Sequence, residues 1–297
     1  MRSFVNSFRQ FSAALRMLLI FTVILGVAYP LLIALVSQVP GLKARANGSL
    51  VKVNGHVVGS KLIGQSFTGN DGNPLPQYFQ SRPSSAGSGY DPTASSASNL
   101  GPESIVDTLP DPAVKGDTGT PSLLTQVCTR SLAIGKLYGV DGSRPFCTPD
   151  GVGAVVAVFY AGPGYHGAIT RVVSVNQVSP ATPFISTYKG IHVELARFGE
   201  DYSRGQIVPI RGDAPAGPAV PADAVTGSGS GLDPEISPAY ARLQEAVVAH
   251  ARDVSVAQVA ALVARFERGR DLGFLGEARV NVLELNLALD RYYPVPT

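Results

Sequence analysis

Met17–Val36 reads MLLIFTVILGVAYPLLIALV, twenty residues without a charge. A helix rises about 1.5 Å per residue, so this run covers about 30 Å, the thickness of a bilayer's hydrocarbon core. It is apolar on every side and keeps no face for water. Gly26 and Pro30 would weaken a soluble helix, but a membrane helix tolerates them where a neighbour packs closely and re-satisfies the backbone. The run is therefore read as one transmembrane helix, residues 17–36, after a short cytoplasmic tail, 1–16. Everything from about residue 41 then lies on one side of the bilayer. A cleaved signal peptide is the competing reading, because Arg2, Arg9 and Arg16 are basic and Ala44-Arg45-Ala46 has the small-x-small pattern. Signal cores run about 7–15 residues, so the length favours a retained anchor. Charge does not orient it, since Lys43, Arg45 and Lys52 on the far side balance the three arginines.

The remainder is long enough for one large or two small domains with real cores. Its 32 glycines and 23 prolines in 297 residues fall short of the roughly 25–30% that marks disorder, so it should fold with many loops. With 15% charged residues, a net charge of +2 and no basic patch, nucleic acid is excluded as a partner class. Cys128 and Cys147 are the only cysteines. A lone pair beyond a membrane anchor fits an extracytoplasmic disulfide, whose loop closure is worth about 3 kcal/mol. Zinc would also need His166 and His192, at a spacing that fits no common site. Two free thiols in a reducing compartment is the plain alternative.

Val51 and Val53 alternate with polar residues before Asn54-Gly55, and Val57 and Val58 follow, which predicts a hairpin. Residues 69–102 are dense in Gly, Asn, Pro and Ser. Because Tyr78, Phe79, Arg82 and Tyr90 are interspersed, an ordered irregular segment is expected rather than a spacer.

An ordered series of short motifs then accumulates. It runs Ala46-Asn47-Gly48-Ser49-Leu50, Gly64-Gln65-Ser66-Phe67, Tyr78-Phe79 with Arg82-Pro83-Ser84, Tyr90-Asp91-Pro92, and Ser98-Asn99-Leu100-Gly101-Pro102. Farther on come TGSGSGLDPEISP at 226–238, Leu272-Gly273-Phe274-Leu275-Gly276, and RVNVLELNLALD at 279–290. Together with the anchor they resemble the C subunit of the Kdp-type potassium-transporting P-type ATPase, over about residues 12–110 and 206–290. The stretch 111–205 is additional to the shorter form of that family, and Gly227 and Glu235 depart from its usual residues.

That additional stretch reads mainly as β. Ala154–Tyr160, Ile169–Val178 and Gly190–Phe198 have strand composition, and the two cysteines would make it a stapled β-rich insert. Gly162-Pro163-Gly164-Tyr165-His166-Gly167 has the letters of a dinucleotide fingerprint. A strand-like run follows it instead of a helix, so a glycine-rich hairpin is expected. The C-terminal part is helical. Ser237 caps a helix to about Arg252 with Pro238 at its first position. Ser255 and Gln258 form a capping box for the next, whose stripe is Val259, Leu262, Val263 and Phe266 and whose end is set by Gly269. Asn281 and Glu284 would open a last helix to about Tyr292; Leu283, Leu285, Leu287 and Leu289 also alternate like a strand, and the cap and the resemblance, not the periodicity, favour helix. The expected class is α+β: one N-terminal transmembrane helix, a mixed extracytoplasmic domain in two parts (41–110 and 206–297), and the β-rich insert between them.

No Walker A string is present, and Gly227-Ser228-Gly229-Ser230-Gly231 has glycine where a nucleophile elbow needs its nucleophile. His56, His166, His192 and His250 share no metal spacing. Asp223, Asp233 and Glu235 cluster near the glycine-rich run, where carboxylates serve turns and caps as readily as acid–base work. No catalytic residue and no metal is expected. The run Gly227–Gly231 could cradle phosphate with backbone N–H groups, or be a tight turn before Ser237. The resemblance implies a non-catalytic accessory subunit of a potassium uptake pump in the cell membrane, acting as a catalytic chaperone that raises the ATPase subunit's affinity for ATP. It implicates Gln65, the glutamine of the Gly-Gln motif. It implies three partners: a channel-like potassium-binding subunit, a P-type ATPase subunit and a small single-span subunit. ATP would be met through the complex, and potassium would be cargo held by the channel-like partner. The alternative is a membrane-anchored extracytoplasmic enzyme or ligand-binding protein acting alone.

Overall fold

Proline has no N–H to give to the carbonyl four residues back, and its ring crowds that carbonyl. For Pro30 the residue concerned is Gly26. The computed structural model, which describes residues 2–86, 93–94 and 100–295, places a π-helical turn there, Ile24–Ala28, between α1 (Arg2–Val23) and α2 (Tyr29–Ser37). The wider turn absorbs the lost bond without ending the helix. Phe8–Ser37 is long and apolar enough to cross a membrane, and none of its side chains is buried against protein. Tyr90-Asp91-Pro92 and Ser98-Asn99 lie outside the described residues.

The chain divides into two units, 1–62 and 63–297. The first adds to the long helix a short one, α3 (Lys43–Ala46), and the antiparallel hairpin of β1 (Leu50–Val53) and β2 (His56–Ser60). Asn54 and Gly55 both take positive φ, 49° and 83°. That is the type I′ geometry whose twist matches paired strands.

The second unit begins with irregular backbone to residue 86 and meets its first helix at α4 (Leu123–Tyr138). A five-stranded sheet follows, made of β3 (Val155–Gly162), β4 (His166–Ser174), β5 (Thr187–Tyr188), β6 (Ile191–Leu195) and β7 (Gln206–Pro209), in the order β5-β6-β4-β3-β7. Only β4 and β6 pair in parallel. Val156, Val158, Val172 and Val193 are buried on one face, and Val155, Ala157 and Val175 on the other. Burial on both faces explains why AVVAVFY is continuously apolar. Gly162–Gly167 is the β3–β4 turn, as the strand-like run after it requires.

The C-terminal part holds α5 (Ala222–Val225), β8 (Glu235–Ile236), α6 (Pro238–Ala251), α7 (Val256–Phe266), β9 (Glu267–Arg268), β10 (Arg279–Asn281) and α8 (Val282–Tyr292). The caps fall where the sequence placed them. Ser237 accepts from Tyr240 N, Ser255 and Gln258 cap reciprocally, and Asn281 accepts from Glu284 N. Gly269 does not end α7. The helix stops at Phe266, because Glu267 and Arg268 turn extended and pair with β10.

The additional stretch differs from its expected β character in one element. Helix α4 is sixteen residues long, capped by Ser122 and ended by Gly139 at φ 68°. Its buried residues are Thr125, Cys128, Ser131 and Gly135, which hold helical spacing without an apolar stripe. Beside them, Val127, Ile134 and Tyr138 pack on the core of α5–α8 and β8–β10, so α4 belongs to the C-terminal core as well as to the insert.

Candidate functional site

The extended segment around Phe79 and Gln80 is the frame of the site. Its buried backbone groups need partners, and no strand flanks it. Two side-chain amides take that place. Asn286 on α8 accepts from Phe79 N and donates to Phe79 O, both at 2.9 Å. Gln244 on α6 accepts from Gln80 N at 2.7 Å and donates to Gln80 O at 3.2 Å. Arg252, 2% exposed, donates to Gln77 O and Tyr293 O at 2.7 Å, pairs with Asp290 at 2.8 Å and stacks over the Tyr78 ring.

At the near end of this frame, Gly64 N donates to Leu232 O at 2.8 Å. A side chain on Gly64 would run into the Asp233 carbonyl, so the Gly-Gln motif needs its glycine for close backbone approach. Gln65 follows, half-buried, with its carbonyl accepting from Ser81 Oγ at 3.2 Å. The run Gly227–Gly231 is strapped to the same segment. Ser228 N donates to Pro83 O and Ser85 N to Ser228 O, at 2.7 and 2.8 Å. Gly231 N donates to Ser228 Oγ and Leu232 N to Ser230 Oγ. The N–H groups of Ser228, Gly231 and Leu232 are thus taken up inside the protein. Gly229 and Ser230 are half-buried beside them, and a Cβ on Gly227 would meet Ser85 Oγ at 2.7 Å.

A cleft of about 540 Å³ opens here, lined by Gln65, Arg82, Arg130, Tyr138, Gly231 and Tyr240 among others. Of the residues singled out from sequence, it brings together Gln65 and Gly231, while Ser228 is buried against the strap. Arg82 pairs with Asp233 at 2.9 Å and reaches Thr226, and its Nε is buried without a partner. Arg130 donates to Val225 O at 3.1 Å, and among the described residues no carboxylate pairs with it. Burial lowers its pKa, yet a guanidinium stays charged at any physiological pH. Burial pushes the Tyr138 phenol up to about 12, and it donates to Gln244 Oε1 at 3.2 Å. Tyr240 is raised further, first by burial and then by Tyr138 and Asp223. The cleft is a cationic, half-apolar hollow with two neutral phenols at its base.

Cys128 on α4 is bonded to Cys147 in the loop before β3, with Cα atoms 5.4 Å apart. The four histidines are exposed, and among the described residues no three His, Cys, Asp or Glu stand close enough to hold a metal. Asp223 accepts from Ser237 N and Oγ, at 2.7 and 2.8 Å, so its carboxylate anchors the start of α6. The sequence reading passed over Arg130, Gln244, Arg252 and Asn286. A signal existed for Gln244 on α6 and Asn286 on α8: a polar side chain on an otherwise apolar helical face has to find a buried partner.

The family described as K+-transporting ATPase, c chain, matches residues 11–108 and 202–291. The chain belongs to this family. KdpC relatives extend the match over nearly the whole length. A "Potassium-transporting ATPase KdpC subunit" of Kineococcus radiotolerans is 38% identical over 284 residues, covering 96% of this chain and 94% of its own. Those of Mycobacterium tuberculosis and Koribacter versatilis are 36% and 34% identical over 283 residues, 95% of this chain and 98% and 94% of theirs. The two matched blocks end within a few residues of the limits read from motifs alone.

Proposed function

We propose that this chain is the non-catalytic, membrane-anchored accessory subunit of an ATP-driven potassium uptake pump, and that it raises the affinity of the pump's ATPase subunit for ATP. The observation that carries this is the identity with curated KdpC subunits over 96% of the chain, anchor included. Its partners are a channel-like potassium-binding subunit, a P-type ATPase subunit and a small single-span subunit. Potassium passes through the channel-like partner, since Met17–Val36 offers no charge to an ion. The α1–α2 helix holds the chain in the cell membrane, and the Cys128–Cys147 bond supports an extracytoplasmic position for residues 63–297, where oxidised pairs persist. ATP lies on the other side of that membrane. The effect on ATP affinity therefore travels through contacts between subunits, and the cleft at Gln65 and Gly231 is the place on this chain from which it starts.

The test is a mild-detergent pull-down of the full chain from its native membrane, with potassium-stimulated ATP hydrolysis measured on the eluate. A P-type ATPase and a channel-like protein should come down together, and Gln65→Ala should raise the KM for ATP severalfold with potassium transport still coupled. Elution of the chain alone and without ATPase activity would overturn the subunit role. A complex whose KM for ATP ignores Gln65 and Gly231 variants would remove the cleft from it.

A further inference from the structure

Outside the α1–α2 helix, the two most exposed large apolar side chains among the described residues are Leu272, 82% exposed, and Phe274, 69%. Both lie on the turn between β9 and β10, which also carries the half-exposed Leu275. This turn is built rigidly. Asp271 and Leu275 exchange backbone hydrogen bonds, both 2.9 Å, and Gly273 N donates to Arg270 O. Arg279 grips both oxygens of the Asp271 carboxylate, at 2.9 and 3.1 Å, and its Nε donates to Glu235 of β8. Leu272 itself sits at φ 53°, a left-handed conformation unfavourable for a non-glycine residue. Local strain of this kind persists only where the surroundings enforce it, and here the strain holds a leucine out into solvent.

We infer that Leu272 and Phe274 form a preorganised apolar plug that inserts into an uncharged apolar socket on another subunit of the potassium-transporting ATPase, an inference that rests on the subunit role proposed above. A rigid apolar knob loses little freedom on docking, and a central aromatic anchor is the usual seat of binding energy in an interface. The surrounding charge favours protein over a lipid headgroup layer. Residues 267–279 contain three arginines and three carboxylates, and each arginine is paired: Arg268 with Glu284, Arg270 with Glu277, Arg279 with Asp271 and Glu235. An anionic membrane surface would meet no free cation here to hold it. The turn also lies inside the block that the family's sequence pattern matches, whereas residues 109–201 do not.

The experiment replaces Phe274 by p-benzoyl-phenylalanine in the full chain, assembled in its native membrane, and irradiates it. Beside it, wild-type chain and Leu272→Ser/Phe274→Ser are compared for co-purification of pump subunits. An adduct with a subunit of the pump, together with a loss of about tenfold or more in subunit recovered by the double variant at unchanged thermal midpoint, supports the plug. Adducts with lipid alone, or none, from preparations in which the wild-type chain still brings down the pump, overturn the plug and leave the subunit role standing. A wild-type chain that brings down no pump subunit overturns both.

Discussion

Asn286 does at the level of one residue what a neighbouring strand does in a sheet, supplying both a donor and an acceptor to Phe79. It is 1% exposed, so no water replaces it when it is cut back. Asn286→Ala leaves the N–H and C=O of Phe79 buried and unpaired, at a cost of roughly 2–4 kcal/mol. A urea titration of the full chain in detergent reads this as a lower midpoint, and an unchanged midpoint would mean that the clamp contributes nothing. Residues of this kind were poorly legible in the sequence. RVNVLELNLALD announces its helix through the Asn281 cap, but the partner of Asn286 lies 207 residues away, and spacing carries no information at that distance. Gln65 was legible as a motif. Its geometry depends on the backbone packing of Gly64 against Asp233, which only the fold reveals.

Among elements, those with a clean physical signature came through. The Asn54-Gly55 hairpin, the continuous apolar β3 and the three capped C-terminal helices each carry a turn, a run or a cap that a single local rule identifies. Helix α4 did not, because the residues it buries are threonine, cysteine, serine and glycine, and a search for apolar periodicity passes over them. Gly135 shows what the small face is for. A Cβ there would lie 2.6 Å from Gly142 N, so the loop after α4 folds back directly on its backbone. The disulfide pins the same return, bridging 19 residues from Cys128 to Cys147. Replacing both cysteines by serine should cost about 3 kcal/mol in the chain-entropy account. Thermal unfolding with and without reductant measures it: wild-type chain should fall under reductant to the level of the double variant, which itself should not respond.

For the molecule as a whole, the core of residues 63–297 closes over two phenols, and that ties its stability to alkaline pH. Tyr138 is pushed up to about 12 and Tyr240 is raised further, so the folded state holds these protons where an unfolded chain would release them near pH 10. The stabilisation is complete below about pH 10 and is lost as pH rises through the folded value, so the urea midpoint should fall between about pH 10 and 12. Tyr138→Phe should make that fall shallower; a midpoint flat across the window would mean that the phenols titrate freely. The ties that complete this core also span much of the sequence. Phe79 waits for Asn286, Gln80 for Gln244 and Gln77 for Arg252, across 207, 164 and 175 residues. A ribosome delivers residues 63–86 before α6 and α8, so their buried backbone groups stay unpaired until those helices have been made. The sheet of β3 to β7 and the Cys128–Cys147 loop are complete before then, which gives residues 63–297 an order of maturation: the middle can form first, and residues 63–86 close onto α6 and α8 afterwards.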